Sequence, residues 1–218
     1  MSQSNEDAAA DEPLVESLRG GDVEALSRLF EKHRERLRRI VAFRLDPRLW
    51  GRIDPEDVVQ ETYLAASKRL EHFRDRPDMS FAVWARLLVL QTLADTERLH
   101  LGAKKRDAAL ERSIDPSPGS DNTSISLAGR LMSGITSPSR AAARAELYEQ
   151  LQRVLATLSD TDREVIALRH FEELTNNEVA EVLGIHKAAA TNRYIRALQR
   201  LEAALADYPE LAAMVEFG

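Results

Sequence analysis

Leu174-Thr-Asn-Asn-Glu-Val-Ala-Glu-Val-Leu-Gly-Ile-His-Lys-Ala-Ala-Ala-Thr-Asn-Arg-Tyr-Ile-Arg-Ala-Leu-Gln-Arg-Leu201 reads as a helix, a glycine turn and a second helix. Thr175 caps the first helix and Glu178 reaches back as its capping-box partner, while Val179, Ala180, Val182 and Leu183 supply the apolar side. Gly184 stops that helix, and Ile185 pins the turn. A second helix from about Lys187 buries Tyr194, Ala197, Leu198 and Leu201 and presents Lys187, Thr191, Asn192, Arg193 and Arg196. Side chains of these types on one helix face reach phosphates and base edges in a DNA major groove. A helical hairpin with a solvated basic face is the other reading, and the rest of the chain must choose between them.

Outside this motif the composition points the same way. The chain has 218 residues, 44% of them hydrophobic, which suffices for one large or two small cores. Ala, Leu, Glu and Arg dominate, and no window alternates β-branched residues with period two, so the predicted class is all-α. Cysteine is absent, which removes disulfides, thiol catalysis and zinc fingers and fits a reducing cytosol. The longest apolar run, around Leu87 to Leu90, is too short to span a bilayer, and the N-terminus is acidic where a signal peptide would be basic. A cytoplasmic protein without membrane insertion is expected. Net charge is -6 with a pI near 5.5, which opposes DNA binding by the chain alone, so either the basic residues are concentrated or a partner supplies the attraction.

The pattern divides the chain into two small helical domains joined by a flexible linker. Residues 1–12 are acidic and aperiodic and are expected to be disordered. A first domain spans 13–112, with Pro13 opening a helix, Asp22 capping a longer one, and Leu26, Phe30, His33, Leu37, Ile40, Val41 and Arg44 at helical spacing. Residues 113–139 hold three prolines and three glycines among many Ser and Thr, the mark of a linker, with a helical turn around Ile125 to Met132. A helix-turn-helix domain spans 140–206, with one helix from Arg140 to Leu158 and the next from Ser159 to Phe171. A tail covers 207–218.

Two segments of the first domain carry candidate sites. In Asp54-Pro-Glu-Asp-Val-Val-Gln-Glu-Thr-Tyr-Leu64 and onward to Phe73, an N-cap aspartate and a proline start a helix. At 100° per residue Val59, Tyr63, Ala66, Leu70 and Phe73 share one side, and Asp57, Gln60, Glu61, Leu64 and Lys68 share the other. The second set suits a protein interface with an apolar anchor and a charged rim, or a solvated face with an incidental leucine. A metal site from Glu56, Asp57 and Glu61 lacks a second acidic helix or a histidine to complete it. The following helix from Phe81 is apolar almost all round. Phe81 and Trp84 begin it, next to a loop that carries Arg74 and Arg76, and aromatics beside arginines suit the stacking of unpaired bases, with core packing as the competing role. Arg98, His100, Lys104, Lys105, Arg106 and Arg112 then concentrate positive charge in an acidic chain.

In this order the motifs resemble the sigma-70 family of bacterial RNA polymerase initiation factors in its compact extracytoplasmic-function (ECF) form, over most of the chain from about Leu14. The resemblance implies a transcription initiation factor with no catalytic residues and no cofactor or metal. Its partners would be core RNA polymerase and promoter DNA, with room for an anti-sigma factor or other regulator. Asp57, Gln60, Glu61 and Leu64 would bind the polymerase. The Arg74 to Ser80 loop would receive a flipped base of the -10 element, with Arg74, Arg76, Phe81, Trp84, Lys104, Lys105 and Arg106 holding the opened strand. Lys187, Ala188, Ala189, Thr191, Asn192, Arg193 and Arg196 would contact the -35 element.

The chain departs from many relatives at His186, Ala188 and Thr191, and Ala188-Ala-Ala190 offers few hydrogen bonds to a groove, although alanine contacts thymine methyls. An autonomous helix-turn-helix regulator is the alternative function. A carboxylate-based hydrolase lacks a nucleophile and base, and a polymerase-binding decoy that reads no promoter would fit the three alanines.

Overall fold

The computed structural model describes residues 3–101, 120–133 and 141–212, and among them every regular element is helical. Helix α1 (Gln3–Arg19) begins ten residues before Pro13 and carries that proline inside it. The expected disorder of residues 1–12 is therefore corrected from Gln3 onward. The Asp11 carboxylate explains the anchoring: it is buried against α2, with Oδ2 2.7 Å from His33 Nε2 and Oδ1 2.7 Å from Lys32 Nζ. Burial pushes this carboxyl up, but His33 and Lys32 outweigh it and hold it below its ordinary range.

Asp22 caps α2 (Val23–Arg44) by accepting the Glu24 N–H at 3.0 Å, and the predicted stripe from Leu26 to Val41 is buried. A 3₁₀ turn (Pro47–Leu49) leads to α3 (Pro55–Lys68), α4 (Leu70–Arg74) and α5 (Phe81–Leu101). The single helix expected to Phe73 breaks at Arg69, with φ -117° and ψ 19°. These elements enclose one core around Leu26, Phe30, Leu37, Val59, Phe73, Phe81, Trp84 and Leu88.

A second core gathers Leu127, Leu151, Leu155, Val165, Leu168, Val179, Ala197 and Leu201 from α6 (Ser120–Ser133), α7 (Ala141–Ala156), α8 (Asp160–Ile166), α9 (Asn176–Leu183) and α10 (Lys187–Leu205). A π turn (Ala167–Phe171) follows α8, and α11 (Pro209–Ala212) docks through Leu211. Part of the expected tail is thus packed, as is part of the expected linker. Leu127 and Ala128 of α6 are fully buried, and the ring of Trp50 lies so near Gly129 that a β-carbon there would come within 3.1 Å of it.

The two halves meet across α2 and α5. Phe43 of α2 belongs to the second core and stacks on Phe171 at 4.9 Å. Beside it, Arg44 donates to Glu164 (2.8 Å) and Glu172 (2.6 Å), and Arg86 donates to Glu172 (2.5 Å) and Glu164 (3.1 Å). Burial opposes ionisation of Glu172, but the two guanidiniums prevail and bring its pKa down to about 2. Burial likewise disfavours the Arg44 charge, and Glu172 and Glu164 overcome it, so that this guanidinium titrates above its ordinary value. At the rim Arg36 pairs with Glu178 at 2.5 Å and Arg39 with Glu173 at 2.7 Å.

Candidate protein and nucleic-acid interfaces

Helix α3 presents the face expected of a protein interface. Asp54 accepts the Glu56 N–H at 2.9 Å and Pro55 occupies the first turn, so the helix starts where the sequence places it. Val58, Val59, Thr62 and Ala66 point inward, and the Thr62 hydroxyl donates to the Val58 carbonyl at 2.7 Å. Asp57, Gln60, Glu61 and Lys68 are exposed, and Leu64 is 58% exposed. Glu56 turns aside to Arg34 (2.7 Å) and Arg38 (3.4 Å), which accounts for its charge. Among the described residues no group of three or more His, Cys, Asp or Glu is arranged to hold a metal ion.

The loop after α4 keeps only part of the expected strand-binding set at the surface. Arg74 and Arg76 are exposed, and Arg74 Nε donates to the Arg19 carbonyl at 2.9 Å. Arg19 returns a bond to the Met79 carbonyl at 3.0 Å and lays its guanidinium 5.2 Å from the Phe73 ring centroid, tying loop to core. Phe81 and Trp84, expected to stack on bases, are corrected: they are 2% and 1% exposed. Their rings lie 5.9 Å apart and pack on Phe73 at 6.1 and 4.8 Å, so each fills the core beneath the loop. Apolar spacing alone gives no way to separate the two roles. Lys104, Lys105 and Arg106 lie outside the described residues. At the loop's end the Ser80 N–H donates to Glu181 Oε1 of α9 at 2.9 Å. Burial pushes the Glu181 carboxyl up despite that bond.

The helix-turn-helix forms as its residues require. Thr175 Oγ1 accepts the Glu178 N–H at 3.2 Å, and Glu178 Oε2 accepts the Thr175 N–H at 2.6 Å, closing the capping box. Gly184 takes φ +62°, the left-handed conformation that ends α9 at low cost only for glycine. In α10, Lys187, Ala188, Ala189, Asn192, Arg193 and Arg196 are exposed. Thr191 is half-buried and donates its hydroxyl to the Lys187 carbonyl at 3.1 Å, so that proton is committed to its own helix. Ala190, counted among the groove-facing alanines, is corrected to the core at 1% exposure. Tyr194 is half-buried with the Arg169 guanidinium 5.6 Å from its ring centroid, and burial raises its pKa.

One basic residue of this surface escaped the sequence reading. Arg200 continues the Arg193 and Arg196 row, and with Ser159, Asp162, Ala189 and Asn192 they line one shallow groove. Buried Asp162 forms an ion pair with Arg200 and fixes its direction. The spacing of three and four residues was the available signal. Arg86 had a signal too, as a charge inside an apolar helix, but its partners are far away in sequence.

The chain is 27% identical over 196 residues to RNA polymerase sigma-H factor of Pseudomonas aeruginosa, covering 89% of this chain and 93% of that one. It is 24% identical to ECF RNA polymerase sigma-E factor of Escherichia coli, covering 88% and 92% of the two chains. It is 22% identical to ECF RNA polymerase sigma factor SigW of Bacillus subtilis, covering 88% and 95%. A solved structure of CnrH in complex with the cytosolic domain of CnrY is 25% identical, covers 91% of this chain and 99% of that chain, and gives a TM-score of 0.47. No helix among the described residues is long and apolar enough to cross a membrane. The ECF sigma factor family model matches residues 12–207, and the chain therefore belongs to the ECF sigma factor family, whose members are transcription initiation factors that act with RNA polymerase.

Proposed function

We propose that this chain binds core RNA polymerase through Asp57, Gln60, Glu61 and Leu64 and directs it to promoters whose -35 element is read by α10 and whose -10 element is engaged by the loop carrying Arg74 and Arg76. The observation that carries this reading is the pairing, in one chain, of an exposed leucine ringed by polar groups on α3 with an exposed basic face on α10. Leu64 supplies an apolar anchor of the kind that interface cores bury, and the carboxylates and amide around it suit a polar rim. On α10, Asn192 and Arg193 have the donor and acceptor geometry to read base edges, whereas Lys187, Arg196 and Arg200 suit phosphates. Phe81 and Trp84 hold the floor on which the Arg74 to Ser80 loop rests.

Net charge of -6 makes the polymerase part of the recognition, because phosphate attraction by the free chain is weak away from its basic surfaces. Reconstitution with bacterial core polymerase and genome-wide mapping of the transcripts tests the proposal. The expected result is a set of start sites that share -35 and -10 sequences and vanish without the chain. Nanomolar specific binding to a palindromic duplex by the free chain at physiological salt, with no transcription on adding core polymerase, would replace this reading with an autonomous regulator.

A further inference from the structure

We propose that Arg19, the last residue of α1, is a positioning residue that presets the Arg74 to Ser80 loop, so that the loop selects among the bases of the -10 element. The inference rests on the function proposed above. A basic residue in the last turn of a helix ordinarily serves the free carbonyls of that helix. Here backbone amides take those carbonyls: Gly20 donates to Glu16 at 2.9 Å, Gly21 to Leu18 at 3.1 Å and Asp22 to Ser17 at 3.0 Å. The Arg19 side chain is thereby released from its own helix and reaches a loop 57 to 60 positions further along the chain.

Arg19 Nη2 donates to the Met79 carbonyl at 3.0 Å and lies 3.5 Å from the Arg76 carbonyl, so one nitrogen holds two points of the loop. The Arg76 carbonyl also accepts the Met79 N–H at 3.1 Å, which closes a turn around Pro77 and Asp78. In return the Arg19 carbonyl accepts from Arg74 Nε at 2.9 Å, and α1 and the loop are laced in both directions. The guanidinium of Arg19 lies 5.2 Å from the ring centroid of fully buried Phe73, so the core itself fixes where the planar fork points. With Nε committed to Arg19, Arg74 keeps its two amino groups for a ligand, and it borders an open hollow with Arg19, Glu71 and Asp75. Two carboxylates there repel a phosphate and accept from a base, so the hollow suits a base edge and not the strand backbone.

Order in this loop matters for selection more than for attraction. A loop fixed before the strand arrives loses little conformational freedom on binding, and its donors and acceptors stay where one base matches them better than another. A mobile loop adapts to any base and discriminates little. Misplacement on the order of 1 Å costs about 100-fold where alignment governs the step. Lysine in place of Arg19 keeps the charge and the reach to one carbonyl, but it has no planar fork to lay on Phe73.

Arg19→Gln and Arg19→Lys in the full chain, beside the wild type, provide the test. In the free chain, amide exchange followed by NMR is expected to quicken about 10-fold at Arg76 and Met79 in Arg19→Gln, with helical circular dichroism retained. Each form is then reconstituted with core polymerase, and transcription is measured from a mapped promoter and from versions substituted base by base in the -10 and -35 elements. Arg19→Gln is expected to narrow the ratio between the best and the substituted -10 sequences by about 10-fold and to leave the -35 ratio unchanged. Arg19→Lys is expected to fall between Arg19→Gln and the wild type. Unchanged exchange in Arg19→Gln overturns the proposal, as does an equal loss at every promoter version, which marks a merely structural role. Full -10 selectivity in Arg19→Lys also overturns it, because a positive charge alone would then suffice. Loss of helix in both variants overturns it as well, since Arg19 would be holding the fold and not the loop. Absence of transcripts from the wild-type holoenzyme overturns the functional reading, while faster exchange in Arg19→Gln still sustains the ordering of the loop by Arg19.

Discussion

Leu64 and Trp84 exchange the roles that a first reading of large apolar residues assigns. Leu64 stands 58% exposed on a helix whose opposite side fills the core, whereas Trp84 is 1% exposed and packed against the rings of Phe73 and Phe81. Truncation of Leu64 together with Glu61 to alanine should therefore leave the thermal midpoint unchanged and weaken competition for core polymerase by about 2 kcal/mol or more, as read by a pull-down titration. Equal competition by the variant would remove this face from the interface. Trp84→Ala should do the reverse, costing about 3 to 5 kcal/mol of stability in denaturant unfolding without a specific change in promoter preference. On α10, Asn192 and Arg193 are the exposed side chains able to read a base edge. Substitution of either should change the preferred -35 sequence, with about 1 to 3 kcal/mol of discrimination for each bidentate contact. Selection from a library randomised at that element measures this. Uniform weakening across the library would reassign the residue to phosphate.

Elements show where local chemistry suffices. The Thr175 and Glu178 capping box and the Gly184 stop define α9 with side chains from its own ends, and the turn that follows aims α10 outward. Gly184 has open space around its α-carbon, so Gly184→Ala costs stability through φ +62° alone. A loss of about 1 to 2 kcal/mol is expected from the left-handed conformation, measured as a lower denaturation midpoint with weaker use of -35 promoters. An unchanged midpoint would mean that the turn does not hold this geometry in solution. Helices α1 and α6 depend on something else. An acidic N-terminal segment and a Ser-rich linker have weak patterns of their own, and the structure orders them through Asp11 against His33 and through Leu127 and Ala128 against the second core.

At the scale of the whole molecule the charged seam dominates. Glu172 titrates near 2 in the folded chain, below its ordinary value of 4.5, because Arg44 and Arg86 outweigh its burial. A depressed carboxyl contributes stability that is fully present above its unfolded pKa and is lost as pH falls through the folded one. Thermal midpoints measured from pH 6 downward should hold to about pH 4.5 and fall steeply toward pH 2, and Glu172→Gln should lower the plateau and flatten that acid limb. An acid limb identical in slope to the wild-type one would show that this carboxyl does not carry the dependence.

What the residues determined without a structure follows from short-range physics. Helical period, caps and the glycine stop operate within a turn or two, so the all-helical class, the helix-turn-helix and the two faces of α3 were readable from Asp54, Leu64, Thr175 and Gly184 alone. The ordered motifs were readable as a family likeness for the same reason. Only the tertiary structure decided that Phe81, Trp84 and Ala190 are all buried, because an apolar helix carries no record of what covers it. It alone paired Arg44 and Arg86 with Glu164 and Glu172, residues 78 to 128 positions away. A buried charge is stable only where a distant partner meets it, and that partner is set by how the two halves pack and not by any local pattern.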